Sequence, residues 1–308
     1  MADINFSFII PHKNTPHLLV TCLAAIPRRP DVQIVVVDDG SDPSVVDFAR
    51  FPGLDDPQVE VVFAKESRGP GYARNVGLER AVGKWIVFAD ADDYYLDNLS
   101  EVMDRYVDSD RDMLLFRVVQ QLPSPKMLLH DVFKPLFDRA IDTGECEEIK
   151  RVYPHLFARF IRRDLIGGIR FPEVTYGEDV MFSLRVSLAS KASEVVNEVV
   201  YCHVLVPNSA MRTDKWQQFY MRTKVRLDVY RFFERCGDTK WKEYGLDRTW
   251  RYWWYMTWKR NNWAALRLLP LVAVRTGSLP LKDLLSPQPR NLYAYKFLEG
   301  DKEPQANT

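Results

Sequence analysis

Trp85-Ile86-Val87-Phe88-Ala89-Asp90-Ala91-Asp92-Asp93 is the stretch on which the reading of this chain turns: an apolar run that ends in three carboxylates within four positions. The run reads as a buried strand. Like charges packed this closely repel and raise one another's pKa, so the cluster calls for a counter-charge. A hard divalent cation with oxygen ligands meets that need. The alternative is a strand-to-helix turn whose acids are solvated and act as caps. Position favours a site, because ligands of open α/β sheets bind outside the carboxyl ends of the strands.

Outward from this stretch, short apolar runs alternate with helix-like segments, the pattern of a parallel sheet with crossover helices. Strands are predicted at 6–10, 32–37, 59–63, 85–89 and 113–119. A helix follows the first from Thr15-Pro16, which supply a cap and a first-turn proline, to about Ile26. Further helices are expected near 44–50, 72–82 and 97–108. From residue 120 to 170 the period is unclear; a helix near 178–190 and a strand near 195–204 then complete the first domain.

Two further segments carry chemistry. Val37-Asp38-Asp39-Gly40-Ser41 is a second acid-tipped strand, in which an Asp can accept from a base N–H or a ribose hydroxyl, or can close an Asx turn. Gly69-Pro70-Gly71-Tyr72-Ala73-Arg74-Asn75 fails as a dinucleotide fingerprint because Arg74 stands at the third glycine position. An Arg near a helix start can reach a diphosphate through its planar fork, or can lie on the surface of a loop.

The chain has 308 residues, with 42 Lys and Arg against 42 Asp and Glu, so a dedicated nucleic-acid binder, which carries a basic excess, is not expected. Its four cysteines are far apart and form no C-x-x-C pair, which argues against a thiol redox motif or a cysteine zinc site. The N-terminus lacks the features of a secretion signal, and no apolar run approaches the roughly 20 residues of a spanning helix. A soluble or peripheral cytoplasmic protein is the expectation.

Together the segments resemble the inverting glycosyltransferases of family 2. The resemblance runs through Ile9-Ile10-Pro11, Val37-Asp38-Asp39-Gly40-Ser41, Gly71-Tyr72-Ala73-Arg74-Asn75-Val76-Gly77-Leu78, Gly83-Lys84-Trp85-Ile86, Asp90-Ala91-Asp92-Asp93 and Gly177-Glu178-Asp179-Val180-Met181-Phe182. It implies a GT-A fold: a Rossmann-like α/β domain with a mixed, mostly parallel sheet and helices on both faces. It further implies a nucleotide-sugar donor, with a UDP-sugar favoured, and a saccharide or lipid-linked acceptor of surface polysaccharide synthesis. By the same resemblance Pro11 and Asp39 line the nucleoside pocket, Arg74 lies beside the diphosphate, and Asp90 approaches ribose or metal. Asp92 is the main ligand of a Mn²⁺ or Mg²⁺, Asp179 the general base, and Glu178 its neighbour that orients the acceptor. His203 is the best-placed histidine ligand, although a histidine after an apolar strand is also an ordinary structural residue. Where the family has Tyr-Asn, this chain has His12-Lys13-Asn14, and a basic residue there can contact phosphate.

Two rival readings are weaker. A haloacid-dehalogenase-like phosphatase needs Thr or Val two residues after the second Asp of its motif, where Tyr94 stands. A non-catalytic carbohydrate-binding or scaffold subunit predicts missing carboxylates, yet Asp39, Asp90, Asp92 and Asp179 are all present.

The catalytic domain is expected over 1–213, a helical region over 214–298 and a polar tail over 299–308. Seven of the eight tryptophans lie between 216 and 263, and residues 215–282 hold fifteen Lys and Arg against five Asp and Glu. Trp216, Phe219, Tyr220, Leu227, Tyr230 and Phe233 form one helical stripe, and Trp250, Trp253, Trp254, Thr257 and Trp258 another. The expectation is that the stripes mainly pack on each other. The alternative is a face flanked by Lys259, Arg260, Arg267 and Arg275 that rests on anionic lipid or on a second copy of the chain.

Overall fold

The computed structural model describes residues 3–121, 127–129, 133–174, 177–205, 215–254, 257 and 263–276. The chain divides into two compact units, Met1–Pro207 and Asn208–Thr308.

The first unit is built on β1 (Phe6–His12), whose apolar run lets it lie at the centre of a parallel array. It pairs on one side with β2 (Val32–Asp38), which carries β3 (Val59–Phe63) beyond it, and on the other with β4 (Trp85–Phe88). Both faces of β1 are covered. Phe8 meets the Tyr95 ring edge-on at 5.5 Å, while Ile9 lies against α2 (Pro70–Arg80). A Cβ at Gly77 would come within 2.4 Å of Ile9 Cγ2, so only glycine lets that helix approach. Each large apolar side chain buried in this way stabilises the fold by roughly 1.5–3 kcal/mol.

The remaining strands make the sheet mixed. β8 (Arg159–Arg162) runs antiparallel to β4 and to β6 (Met113–Gln121). Beyond β6 lie β9 (Ser193–Val204), parallel to it, and the two-residue β5 (Tyr94–Tyr95), antiparallel to β9. β7 (Met127–Leu129) pairs with β6 off the main path. The resulting order is β3-β2-β1-β4-β8-β6-β9-β5. The parallel ladders are β1 with β2 and β4, β2 with β3, and β6 with β9.

Helices α1 (Pro16–Ala24), α3 (Leu99–Tyr106) and α7 (Glu178–Ala189) stand where the sequence predicts them. The helix expected near 44–50 is only a 3-10 turn at Phe48–Arg50, capped by Asp47, which accepts from Ala49 N at 3.0 Å. The stretch without a clear period holds α4 (Lys134–Thr143), α5 (Glu147–Val152), β8 and α6 (Arg163–Ile166).

In the second unit, α8 (Lys215–Arg235), α9 (Thr239–Trp254) and α10 (Leu269–Thr276) enclose a core of Phe219, Leu227, Trp250, Tyr252, Trp253, Leu268 and Val272. Much of the two aromatic stripes therefore packs within this unit. Trp258, Lys259, Arg260, the stretch 277–298 and the tail 299–308 lie outside the described residues. Among the described residues no helix is long and apolar enough to cross a membrane.

Candidate active site

The turn that follows β4 is held by its last acid. Asp93 is buried; its Oδ2 accepts from the Tyr201 hydroxyl at 2.9 Å and its Oδ1 from Val204 N at 2.8 Å, both on β9. Burial, reinforced by Asp90 and Asp92, raises its carboxyl well above the usual range. The Asp92 carboxyl is pushed up to about 6, by burial first and then by Asp90. This tip is short of positive charge, and Arg74 supplies part of it: Nη2 donates to Asp90 Oδ1 at 2.7 Å.

Arg74 reaches this position from the first turns of α2. It is 5% exposed, and its Nη1 donates to Glu178 Oε1 at 2.8 Å. One guanidinium thus joins the end of β4 to the start of α7, whose Glu178 lies 104 residues from Arg74 in sequence. The approach depends on Gly71, where a Cβ would lie 2.7 Å from Pro172 O and 3.1 Å from Glu178 Cγ. Asn75 clamps the incoming segment with two bonds to the backbone of Phe171, at 2.9 and 3.0 Å, and Phe171 stacks on Phe182 at 3.8 Å. Asp179, next to this clamp in the first turn of α7, has its carboxyl pushed up to about 6 by burial and by Glu178, against the pull of Arg74. The structure therefore brings Arg74, Asp90, Glu178 and Asp179 together. Glu178 is turned toward Arg74.

The tip of β2 is arranged differently. The β1–β2 register sets His12 opposite Asp38, and His12 Nδ1 lies 2.8 Å from Asp38 Oδ1 while Nε2 accepts from Thr15 N at 3.2 Å. This pattern assigns the proton to Nδ1. Asp38 also accepts from Ser41 N and Oγ, at 2.9 and 2.5 Å. Burial pushes the Asp38 carboxyl up, but the bonds from His12 and Ser41 outweigh it and leave it below the usual carboxylate range. With 2% exposure and both ring nitrogens engaged, His12 is a brace between strands. Asn14 completes the brace from a left-handed conformation, φ +57°, bonding Ser41 and Asp42. Asp39 accepts from Arg68 N, Gly69 N and Ser67 Oγ at 2.9–3.2 Å, holding the loop before α2 against the strand. Pro11 pairs with Val37 and is half-buried beside this tip.

His203 lies on β9 one residue before Val204, whose N–H meets Asp93. Burial lowers the His203 pKa, which favours the neutral imidazole that ligates metals, and its Nδ1 is buried without a partner. Among the described residues no three His, Cys, Asp or Glu side chains form a ready cluster for a metal ion. The chemistry of the donors nevertheless fits a hard divalent cation: Asp92 and Asp90 offer carboxylate oxygens at a tip where burial, and then the neighbouring acids, raise the pKa of Asp92 and Asp93. Sequence reading missed Tyr201, whose signal was a buried tyrosine hydroxyl two residues before His203, a group that needs a partner.

The profile of Glycosyl transferase family 2 matches residues 7–166, just over half of the chain. EpsH of Bacillus subtilis strain 168, named a glycosyltransferase, is 26% identical over 210 residues, covering 63% of this chain and 59% of EpsH. In two rickettsial relatives, which are also named glycosyltransferases, the match spans 31% and 16% of their lengths. Among solved structures, S. aureus TarS 1–349 in complex with UDP superimposes with a TM-score of 0.62 at 19% identity, covering 96% of this chain and 88% of that one. The mannosyltransferase PcManGT from Pyrobaculum calidifontis, in complex with GDP-Man and Mn²⁺, gives 0.54 at 18% identity, covering 97% and 80%. These structural likenesses establish the GT-A fold, and the profile match, which spans β1 to α6 and so includes Asp39, Arg74, Asp90 and Asp92, establishes that the chain belongs to glycosyl transferase family 2.

Proposed function

We propose that the chain transfers a sugar, with inversion, from a nucleotide-sugar donor to a hydroxyl of a saccharide or lipid-linked acceptor in surface polysaccharide synthesis. A UDP-sugar is the favoured donor. The observation that carries this reading is the Arg74 bridge, which gathers the acids after β4 and the first turn of α7 into one cluster. The UDP bound to TarS and the GDP-Man bound to PcManGT support a donor of this class.

In this reading Asp179 takes the proton of the acceptor hydroxyl as that oxygen attacks the anomeric carbon from the face opposite the leaving diphosphate. A carboxyl poised near 6 is ionised at neutral pH yet basic enough for the task. Arg74, beside the diphosphate, holds Asp90 and Glu178 in place, and Glu178 orients the acceptor next to Asp179. Asp92, with Asp90, would hold a Mn²⁺ or Mg²⁺, and His203 would complete the set. The ion supplies the positive charge that stabilises the departing nucleoside diphosphate.

The second unit extends the proposal to a lipid surface. Trp263, Leu266 and Val274 are 52%, 44% and 82% exposed, and Arg267 and Arg275 are exposed beside them. Apolar and basic side chains combined in this way favour anionic headgroups. Liposome flotation tests this: recovery independent of anionic lipid counts against it, and a concentration-dependent dimer would assign the surface to a second copy.

The central test is a screen of UDP-, GDP- and dTDP-sugars by nucleotide release, with and without Mn²⁺. Release from one donor class only when Mn²⁺ is present supports the reading. Calorimetry showing no binding of any nucleoside diphosphate would leave only a scaffold role.

A further inference from the structure

Tyr201 lies outside every motif that identifies the family, yet both ends of the acidic turn meet at its hydroxyl. The oxygen accepts from Asp90 N at 3.0 Å and donates to Asp93 Oδ2 at 2.9 Å, and the turn itself is closed by Asp93 N donating to Asp90 O at 3.1 Å. A hydroxyl offers one donor and two acceptor positions, so this oxygen binds the first residue of the turn through its backbone and the last through its side chain. The ring that carries it is fully buried. It stacks on Phe157 at 4.5 Å and meets Tyr95 edge-on at 4.9 Å, which fixes where the oxygen can lie.

We propose that Tyr201 is a positioning residue for the cation-binding turn: its hydroxyl fixes the backbone from which Asp90 and Asp92 project toward the donor's metal ion. The inference rests on the functional reading above and goes beyond it, assigning to a residue on β9 control over how tightly the turn after β4 holds its ion. Asp93 is the second half of the device. Its other oxygen accepts from Val204 N, so the turn is tied to the same strand that presents His203. Loss of the hydroxyl leaves Asp90 N–H and Asp93 Oδ2 without this partner while every ring contact is retained. The turn then samples geometries in which the carboxylates of Asp90 and Asp92 no longer converge.

Tyr201→Phe tests this by calorimetry with UDP in the presence and absence of Mn²⁺, alongside a thermal melt. The expected result is a roughly tenfold loss of Mn²⁺-dependent UDP affinity, about 1.4 kcal/mol, with metal-free UDP affinity unchanged. Asp93→Asn should weaken the same quantity by about threefold, because the amide oxygen that keeps Val204 N leaves an NH₂ where the Tyr201 hydroxyl proton had its acceptor. A Tyr201→Phe protein with wild-type Mn²⁺-dependent affinity and only a lowered Tm overturns the proposal. If Tyr201→Phe does not fold, an unchanged Mn²⁺ dependence in Asp93→Asn overturns it equally. Wild-type protein that binds no nucleoside diphosphate with or without Mn²⁺ overturns the parent reading and this inference with it, an outcome distinct from failure of the variants alone.

Discussion

The strands β2 and β4 end alike in sequence and unlike in structure. Each delivers adjacent carboxylates to the carboxyl edge of the sheet. At β2 the acids are satisfied from within: Asp38 by His12 and Ser41, Asp39 by the loop at 67–69. Their negative charge organises backbone, and Asp38 is correspondingly more acidic than usual. At β4 burial and mutual repulsion make Asp92 and Asp93 less acidic than usual, and the one guanidinium among the described residues that meets the acids there, Arg74, is shared with Glu178. Runs of acids at strand ends are therefore not equivalent sites. In the proposed function the β4 tip is the one that takes an external cation.

The sharpest way to break this contrast is at Asp92. Asp92→Ala should reduce Mn²⁺-dependent nucleotide release by at least about a thousandfold, consistent with loss of metal-supplied charge stabilisation. Asp179→Asn should slow transfer by about 10²–10⁴-fold while donor affinity, read by calorimetry, stays near wild type. Normal turnover by that variant would remove Asp179 as the base. At the other tip the currency is stability. Asp38→Ala leaves the buried donors of His12 and Ser41 unpaired and should cost about 3 kcal/mol in denaturant unfolding, with Mn²⁺ dependence unchanged in the folded protein.

The smallest effect is a pH dependence of opposite sign at the two tips. Asp92 has a folded pKa of about 6 against an ordinary value of 3.8, so between these values the folded state holds more protons than the unfolded one. Stability from this group therefore falls as pH rises through that window, and Asp93 and Asp179 act in the same direction. Asp38, held below its ordinary value, stabilises at neutral pH, and that stability is lost as pH falls through its folded pKa. Melts of wild type and Asp92→Asn from pH 7.5 to 5 should differ by a few degrees, the wild type gaining relative stability toward pH 5. Added Mn²⁺ should raise the wild-type Tm more at pH 7.5 than at pH 5.

The parallel half of the sheet is legible in sequence because β1, β2 and β4 are apolar runs buried by neighbouring strands and helices, and the edge strand β3 is a short run rich in valine. α7 and β9 are legible for a related reason, since each follows a turn and carries a sustained pattern. β8 is not. It begins with Arg159, which is fully buried, donates to Ser187 Oγ and Tyr153 O, and lies over the Tyr153 ring; burial holds its pKa down to about 10. A hydrophobicity pattern has no means of marking such a residue as core. β5, with two residues, is too short to show a period. In the site, the motifs locate Asp90, Asp92, Arg74 and Asp179, but the bonds that assemble them join residues about a hundred positions apart: Arg74 to Glu178, and Asp93 to Tyr201. His12 is similar: its place in a motif leaves its role open, and only the strand register reveals the inward pairing with Asp38.

The ladder between β6 and β9 breaks register twice: Phe116 pairs with Val196, Arg117 with Val199 and Val118 with Tyr201, so β9 advances three residues more than its partner. Strand side chains alternate faces, and Tyr201 and His203 share one face while Cys202 takes the other. The irregular stretch 197–200 therefore acts as a phase setting for the end of the strand. Substitutions at exposed Asn197 are expected to be tolerated, whereas deletion of a single residue there would exchange the faces of everything that follows and present Cys202 where Tyr201 now stands. Natural diversity in this segment is thus predicted to accumulate as changes of identity at constant length.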